Sequence, residues 1–244
     1  MSTIGTPYPL DVSPLFGPRA SIPAASALRG YTYRCTDADY SYFSDGTSWA
    51  ADVFGYRGVD PGTDSSVVKL STTTPSGSTS DTSKGGINFS VGTGSGDHVE
   101  GWMKPVTVSG GGLAVALGFD QAASLTPQAG PALYDSGSGK WTIFRYAGGQ
   151  LYASQYHDST GWVSNISPIA WVNPWPRRGV FGLTFAGSAK LNVYTDNELY
   201  VPSSDINSGA GYTDTYLTSV THVGIAGNLG AASIWFQFLK VVRT

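Results

Sequence analysis

The chain has 244 residues, of which 13% are charged, 13% are aromatic and 32 are glycine. An average domain has about 25% charged residues, and surface helices need many Glu, Lys and Arg, so this composition argues against a helix-rich fold. The aromatic content supplies a core and argues against disorder, and a formal net charge of −3 without a basic block argues against nucleic-acid binding.

The sequence shows no signal for export or membrane insertion. The first residues have neither the basic nor the apolar stretch of a signal peptide, and no apolar run approaches the roughly 20 residues of a membrane span. Cys35 is the only cysteine, so no internal disulfide can form. We expect a soluble protein made in a reducing cytosol, without a signal peptide and without membrane insertion.

Residues 1–30 form a proline-rich segment. Prolines at positions 7, 9, 14, 18 and 23 prevent helix and favour extended chain. The apolar residues between them are too few to build a core. Either a disordered tail or an extended arm lying on another subunit fits this pattern, and we expect the arm.

Residues 31–50 are predicted to form a small β-meander. Tyr31, Tyr33 and Cys35 alternate with polar residues, and an Asp45-Gly46 turn follows the next alternating run. Residues 51–85, which end in a Ser-, Thr- and Gly-rich stretch, are either a linker or the first strand or strands of the next domain.

Residues 86–244 read as a series of strands separated by turns. Leu113, Val115, Leu117 and Phe119, for example, alternate with small residues. Period-2 alternation between polar turns predicts an all-β, antiparallel sandwich. The predicted strands are 87–91, 98–107, 113–119, 141–146, 150–156, 180–186, 189–195, 221–226 and 232–242.

Three stretches of this region resemble the concanavalin A-like and laminin-G-like jelly rolls. The first is DHVEGWMKP at 97–105, where Trp102 matches a tryptophan that packs inside the family's sandwich. The second is the hairpin 182–199, with Asn197 where the family has glycine, a mild departure because Asn tolerates the left-handed conformation. The third is HVGIAG followed by IWFQFLKVV at 222–242. The resemblance covers residues 86–243 and implies a lectin-like jelly roll.

The N-terminal part resembles a different module. IPA at 22–24, GYTY at 30–33, TD at 36–37, YSY at 40–42 and DGTSW at 45–49 are similar to a short module of bacteriophage tail-fibre and other virion proteins. This resemblance implies attachment to a virion or tail-like particle, with the jelly roll displayed outward. We therefore expect other virion or tail proteins as partners of the N-terminal arm, and a homotrimer around a symmetry axis.

The sequence contains no complete catalytic set. Retaining jelly-roll glycosidases need two carboxylates about 5 Å apart, and their usual Glu-x-Asp-x-x-Glu pattern does not occur. Gln155-Tyr156-His157 resembles part of the Gln-x-His constellation of polysaccharide lyases, but no Arg-rich strand accompanies it. We therefore expect that the protein is not an enzyme. A glycoside hydrolase or polysaccharide lyase remains as the third hypothesis, after the two given at the end of this section.

Residues 141–178 combine aromatic rings with hydrogen-bonding side chains, the two kinds of group that bind sugars. Trp175 stands between two prolines on a stiff loop and is followed by arginines, and Trp162 lies in turn-like surroundings. For any single tryptophan, above all Trp141 and Trp171, the alternative is a place in the core. The predicted glycan site consists of Trp175, Trp162, Tyr156, Asp158 and Arg177.

Calcium is the one cofactor that remains open. Folds of the laminin-G type often carry Ca²⁺ at a loop edge, and calcium needs several oxygen ligands. Asp120 and Asp135 are the candidate ligands, although no Asp-x-Asp-x-Asp loop occurs.

These patterns together predict a virion- or tail-associated protein whose lectin-like domain recognises a host-surface glycan during adsorption. The alternative is a purely structural decoration or tail protein without a ligand.

Overall fold

The computed structural model describes residues 15–18, 21–36, 41–53, 56–72, 79–80, 85–90, 98–108, 112–121, 128–147, 150–169, 178–195, 214–228 and 233–243. These residues form eighteen strands and one 3-10 turn, Ala25–Ala27. Within the described ranges, no helix has the length and apolar character needed to cross a membrane.

In chain order the strands are β1 (Leu15–Gly17), β2 (Thr32–Cys35), β3 (Ser41–Ser44), β4 (Trp49–Val53), β5 (Tyr56–Arg57), β6 (Val68–Ser71), β7 (Thr79–Ser80), β8 (Ile87–Ser90), β9 (Val99–Pro105), β10 (Leu113–Gln121), β11 (Ala129–Asp135), β12 (Lys140–Ala147), β13 (Gln150–His157), β14 (Gly161–Ile169), β15 (Arg178–Phe185), β16 (Ala189–Thr195), β17 (His222–Asn228) and β18 (Ser233–Arg243).

The strands form three sheets. The N-terminal sheet contains β1 to β5 in sequence order, the six-stranded sheet has the order β16-β15-β10-β18-β8-β7, and the seven-stranded sheet has the order β14-β13-β12-β11-β17-β9-β6. All neighbouring pairs in the two larger sheets are antiparallel. The predicted all-β, antiparallel sandwich is confirmed.

The two larger sheets pack face to face on the main core. Leu117 and Phe236 of the six-stranded sheet share one buried cluster with Phe144 and Ile225 of the seven-stranded sheet. The alternation in the sequence explains this, because every second residue of a strand points to the same face. Trp102, expected inside the sandwich, packs against this core from β9 and keeps part of its surface exposed.

The N-terminal sheet covers the other face of the six-stranded sheet. Tyr42 and Trp49, both fully buried, share a second core with Val180 and Phe238. Gly118 lies opposite Phe238 in the register, and a Cβ atom there would collide with the Phe238 ring. The molecule therefore has three layers, with the six-stranded sheet in the middle.

The proline-rich segment lies on this chain where the structure describes it. Ile22 and Ala25 are buried in the second core, and β1 pairs in parallel with β2. The aromatic donors of the meander hold the segment: Trp49 Nε1 donates to the carbonyl of Pro23 at 2.7 Å, and Tyr33 Oη donates to Pro18. Residues 15–18 and 21–28 thus differ from the expected arm on a neighbouring subunit, and residues 1–14, 19 and 20 lie outside the described residues.

All nine predicted strands are present, and four further strands join the two larger sheets. β6 and β7 come from residues 51–85, so this segment supplies sandwich strands. β11 was not predicted, because Gly130 and Pro131 are poor strand formers and proline is rare in a central strand. β14 carries Pro168 and is an edge strand, where proline is tolerated.

Candidate functional site

A row of rings crosses five adjacent strands of the seven-stranded sheet. Its members stand opposite one another in register: His222 on β17, Tyr134 on β11, Trp141 on β12, Tyr156 on β13 and Trp162 on β14. They lie on the outer face of this sheet, the face turned away from the main core. We call these five residues the aromatic row.

Strand alternation places the row on the outer face. On β12, Phe144 points into the main core, whereas Trp141 and Ile143 belong to a separate cluster on the opposite side. The same parity holds on β11, where Leu133 faces the main core and Tyr134 faces outward. Insertion or deletion of one residue in a turn between these strands would shift the register and move the rings of that strand to the other face of the sheet.

Ring contacts occur at both ends of the row. Tyr134 stacks on Trp141 with ring centroids 4.1 Å apart, and the His222 ring lies 5.6 Å from Tyr134 on a tilted plane. Farther along, Tyr156 meets Trp162 edge to face at 5.1 Å. Such pairs fix ring orientation and contribute about 0.5–1.5 kcal/mol each beyond area burial.

Exposure differs along the row. Trp141 and Tyr156 are only 1% and 2% exposed, whereas Tyr134, Trp162 and His222 are partly exposed. A ligand in solution can therefore reach the rim of the row but not its two central rings.

Asp158 is an exposed carboxylate held by two members of the row. Its Oδ1 accepts a hydrogen bond from Trp141 Nε1 at 2.7 Å, and its Oδ2 accepts one from Tyr134 Oη at 2.8 Å. Burial, and then the hydrogen bond and charge of Asp158, raise the pKa of Tyr134, so its hydroxyl remains a donor at neutral pH. A carboxylate has about four acceptor positions, so Asp158 keeps acceptor capacity toward solvent.

Arg145 supports the end of the row at β14. Its guanidinium lies 4.6 Å from the Trp162 ring centroid, and its Nε donates to Ser154 Oγ at 2.8 Å while Nη1 donates to Gln128 Oε1 at 3.0 Å. Burial lowers the pKa of the guanidinium, which still remains charged at neutral pH. The cation therefore fixes the Trp162 ring from one face.

His222 closes the other end of the row. Burial lowers its pKa, which favours the neutral ring at physiological pH. Its Nδ1 lies 2.9 Å from Thr221 Oγ1. The neutral imidazole can both donate and accept a hydrogen bond.

The structure brings together three of the five predicted glycan-site residues. Trp162, Tyr156 and Asp158 lie in and around the β13–β14 hairpin, but Tyr156 is buried and supports Trp162 instead of facing solvent. Trp162 belongs to a strand, where a turn was expected. Trp175 and Arg177 lie outside the described residues.

Sequence reasoning missed Tyr134, His222 and Arg145 as members of this site. Trp141, expected in the core, is buried, but on the outer face of the sheet. Only the pairing of β11 with both β12 and β17 brings Tyr134 and His222 into the row, and β11 was not predicted.

The calcium candidates do not converge in the described residues. Asp135 directs its carboxylate into its own turn, where Oδ1 accepts from Gly137 N and Oδ2 accepts from Ser138 Oγ. Asp120 lies at the end of β10 in the other large sheet. Among the residues that the structure describes, no group of three or more His, Cys, Asp or Glu side chains could hold a metal ion.

The partial lyase pattern is divided between two places. Gln155 Nε2 donates to Asp214 Oδ1 at 3.1 Å, on the side of the sheet that faces the main core. His157 Nδ1 accepts from Ser159 N at 3.1 Å within the exposed turn after β13. The hydrogen bonds of Gln155 and His157 therefore lead to different partners, and neither partner belongs to the aromatic row.

The fold is a jelly-roll β-sandwich. No protein-family model matches the sequence, and no curated protein is similar to it in sequence. Solved structures with similar folds include the cellulose-induced protein Cip1 (13% identity, covering 73% of this chain and 91% of that chain, TM-score 0.45). They also include the VIP36 exoplasmic/lumenal domain in its Ca²⁺/Man3GlcNAc-bound form (8%, 76% and 87%, TM-score 0.46). A third is the Caenorhabditis elegans galectin LEC-6 (12%, 64% and 95%, TM-score 0.37). All three TM-scores are below 0.5, so the fold assignment rests on this chain's own sheet topology.

Proposed function

We propose that this chain is a carbohydrate-binding protein that recognises a glycan through the rim of the aromatic row. The observation that carries the proposal is the pairing of an exposed, fixed carboxylate, Asp158, with a partly exposed indole, Trp162, on the two sides of one tight turn. Sugars present apolar C–H faces that stack on aromatic rings, and hydroxyl groups that donate to carboxylates. The two side chains supply both contacts.

Preorganisation strengthens this proposal. Asp158 is oriented by Trp141 and Tyr134, and Trp162 is oriented by Arg145 and Tyr156. Because these side chains are already ordered, binding costs less conformational entropy.

We further propose that the protein acts on a virion or tail-like particle, during adsorption to a host-surface glycan. The N-terminal resemblance to virion modules supports this setting. The layer order is compatible with it, because the N-terminal sheet and the aromatic row lie on opposite faces of the molecule. An anchor through the N-terminal sheet would leave the row facing outward, and a homotrimer would present three such rows.

Glycan-array binding of Trp162→Ala and Val163→Ala tests the glycan proposal. Val163 is the matched control, because it is the next residue on β14 and is 51% exposed. We expect Trp162→Ala to weaken glycan binding about tenfold, since loss of a stacking contact of about 1.4 kcal/mol corresponds to that factor. Equal binding by both variants and the native chain would overturn the proposal.

The particle proposal has its own test. Antibody labelling of intact particles should place the chain on the virion surface or tail, and light scattering should give a trimer. If the chain is absent from purified particles, the particle proposal is wrong, whereas the glycan proposal is unaffected.

A structural protein without a ligand is the second candidate. The burial of Trp141 and Tyr156 favours it, because buried rings stabilise a sheet and cannot stack on a sugar. This candidate predicts that the native chain binds no glycan on the array. It also predicts that Trp162→Ala changes only the stability of the fold.

A further inference from the structure

We infer that the site takes the end of a glycan, one or two sugar residues, and excludes the interior of a long polysaccharide. This inference rests on the proposed function and adds the size of its ligand.

The middle of the outer face is filled by side chains. Residues of β9, β11, β12 and β17 form a buried cluster there with Trp141 and Tyr156. They are Val99, Met103, Ala132, Ile143 and Ala226, each no more than 1% exposed. A polysaccharide lying across a sheet needs exposed rings and polar groups along several strands, and these residues offer neither.

A hydrogen bond also joins the two sides of this face. Tyr156 Oη on β13 donates to Thr72 Oγ1 at 3.2 Å, and Thr72 directly follows β6, the edge strand on the far side. Thr72 Oγ1 in turn accepts from the backbone N–H of Val99 at 3.1 Å. Four strands separate β13 from β6 in the sheet, so this bond shows that the sheet curls until its two sides meet.

Among the residues that the structure describes, the accessible rings of this face do not form a continuous line. The buried rings of Tyr156 and Trp141 separate Trp162 from Tyr134 and His222, and Tyr152 is a further partly exposed ring on β13. Beside Trp162 the accessible polar group is the exposed carboxylate of Asp158. Asp158 and Trp162 are separated by the turn 159–160 and the first residue of β14. One ring to stack on and one carboxylate to accept neighbouring hydroxyl protons suit a terminal sugar or a disaccharide.

The test compares chain lengths of one sugar. Mono- to hexasaccharides of glucose, mannose, galactose and N-acetylglucosamine are titrated against the full chain in solution. Because each oligosaccharide has one non-reducing end, we expect the disaccharide and hexasaccharide of the retained sugar to bind with the same affinity within about twofold. A hexasaccharide that binds more than tenfold tighter than the disaccharide would overturn the inference and leave the glycan function standing.

Trp162→Ala provides the second measurement. If the rim alone binds, this variant weakens the disaccharide and the hexasaccharide by the same factor. A loss confined to the hexasaccharide would contradict end recognition. Failure of every oligosaccharide to bind the native chain would instead contradict the proposed function, and the inference with it.

Discussion

The carboxylate of Asp214 accepts a hydrogen bond from the hydroxyl of Thr142 between the two sheets of the sandwich. The backbone of Asp214 bridges to Ala189 on β16 of the six-stranded sheet, whereas Thr142 belongs to β12 of the seven-stranded sheet. Oδ1 accepts further bonds from Gln155 Nε2 and Tyr216 N. One buried residue therefore ties both sheets together.

Replacement of Asp214 should destabilise the sandwich. Asp214→Ala leaves the buried Thr142 hydroxyl and the partly buried Gln155 amide without their acceptor, and a buried unsatisfied group costs about 1–3 kcal/mol. We expect the free energy of unfolding to fall by about 3 kcal/mol, measured by urea denaturation. Thr215→Ala, at the exposed neighbouring residue, is the control and should leave the unfolding midpoint unchanged. Similar midpoints for the two variants would show that the tie contributes little.

Asp60 should make stability depend on pH in an unusual direction. Burial raises its pKa to about 6, although the N–H groups of Gly62 and Gly86 donate to Oδ1 at 2.7 Å and lower it. The folded pKa lies above the unfolded value, so the folded state favours the protonated acid. Between pH 4 and 6 this residue therefore lowers the free energy of unfolding as pH rises, by about 3 kcal/mol in all.

Asp60→Asn should remove this dependence, because the amide keeps an acceptor oxygen and carries no charge. Asp64→Asn is the matched control. Burial would raise the pKa of Asp64, but hydrogen bonds from Lys104 and Ser66 outweigh it and hold the pKa below its usual value. Asp64 thus stabilises the fold above its pKa, and its variant should change the pH profile with the opposite sign. Parallel profiles for native protein and Asp60→Asn between pH 4 and 6 would refute the assignment.

Arg145 should act on glycan binding through Trp162. Arg145→Lys keeps the charge but loses the planar group over the Trp162 ring and the paired bonds to Ser154 and Gln128. We expect about two- to twelvefold weaker glycan binding, from a loss of about 0.5–1.5 kcal/mol, and a shift in tryptophan fluorescence. Unchanged fluorescence together with unchanged affinity would show that the ring holds its position without the cation.

Glycan binding should not require calcium. The carboxylate of Asp158 is oriented by Trp141 and Tyr134, and that of Asp135 is occupied by its own turn. We expect EDTA to change neither the melting temperature nor the affinity for the retained glycan. A loss of binding on chelation that added Ca²⁺ restores would overturn this expectation.

Local patterns predicted most of the sandwich and one part of the site. The alternation of β10 is visible in the sequence, because Leu113, Val115, Leu117 and Phe119 face the main core, whereas the smaller Ala116 and Gly118 face the N-terminal sheet. Tyr156, Asp158 and Trp162 could be grouped in advance because they belong to one hairpin, and hairpin neighbours are close in sequence.

The remainder of the site depends on register between distant strands. His222 reaches Tyr134 only through the pairing of β17 with β11, and the sequence between them is 87 residues long. Gly130 and Pro131 also weaken the strand pattern of β11, the strand that pairs with both β12 and β17 and so links Trp141 to His222 through Tyr134. The position of Trp141 could not be predicted from its apolar character. The residue is buried, but it lies on the outer face of the sheet and not in the main core.

The edge position of Pro168 on β14 affects whether a strand of another molecule can pair with this sheet. Proline has no backbone N–H, so a strand from another molecule that extended the seven-stranded sheet at this edge would lose a ladder hydrogen bond there. Neighbouring copies packed at high local density are thus discouraged from adding strand to strand along β14. The same residue that weakened the strand signal in the sequence protects the folded chain against edge-to-edge aggregation.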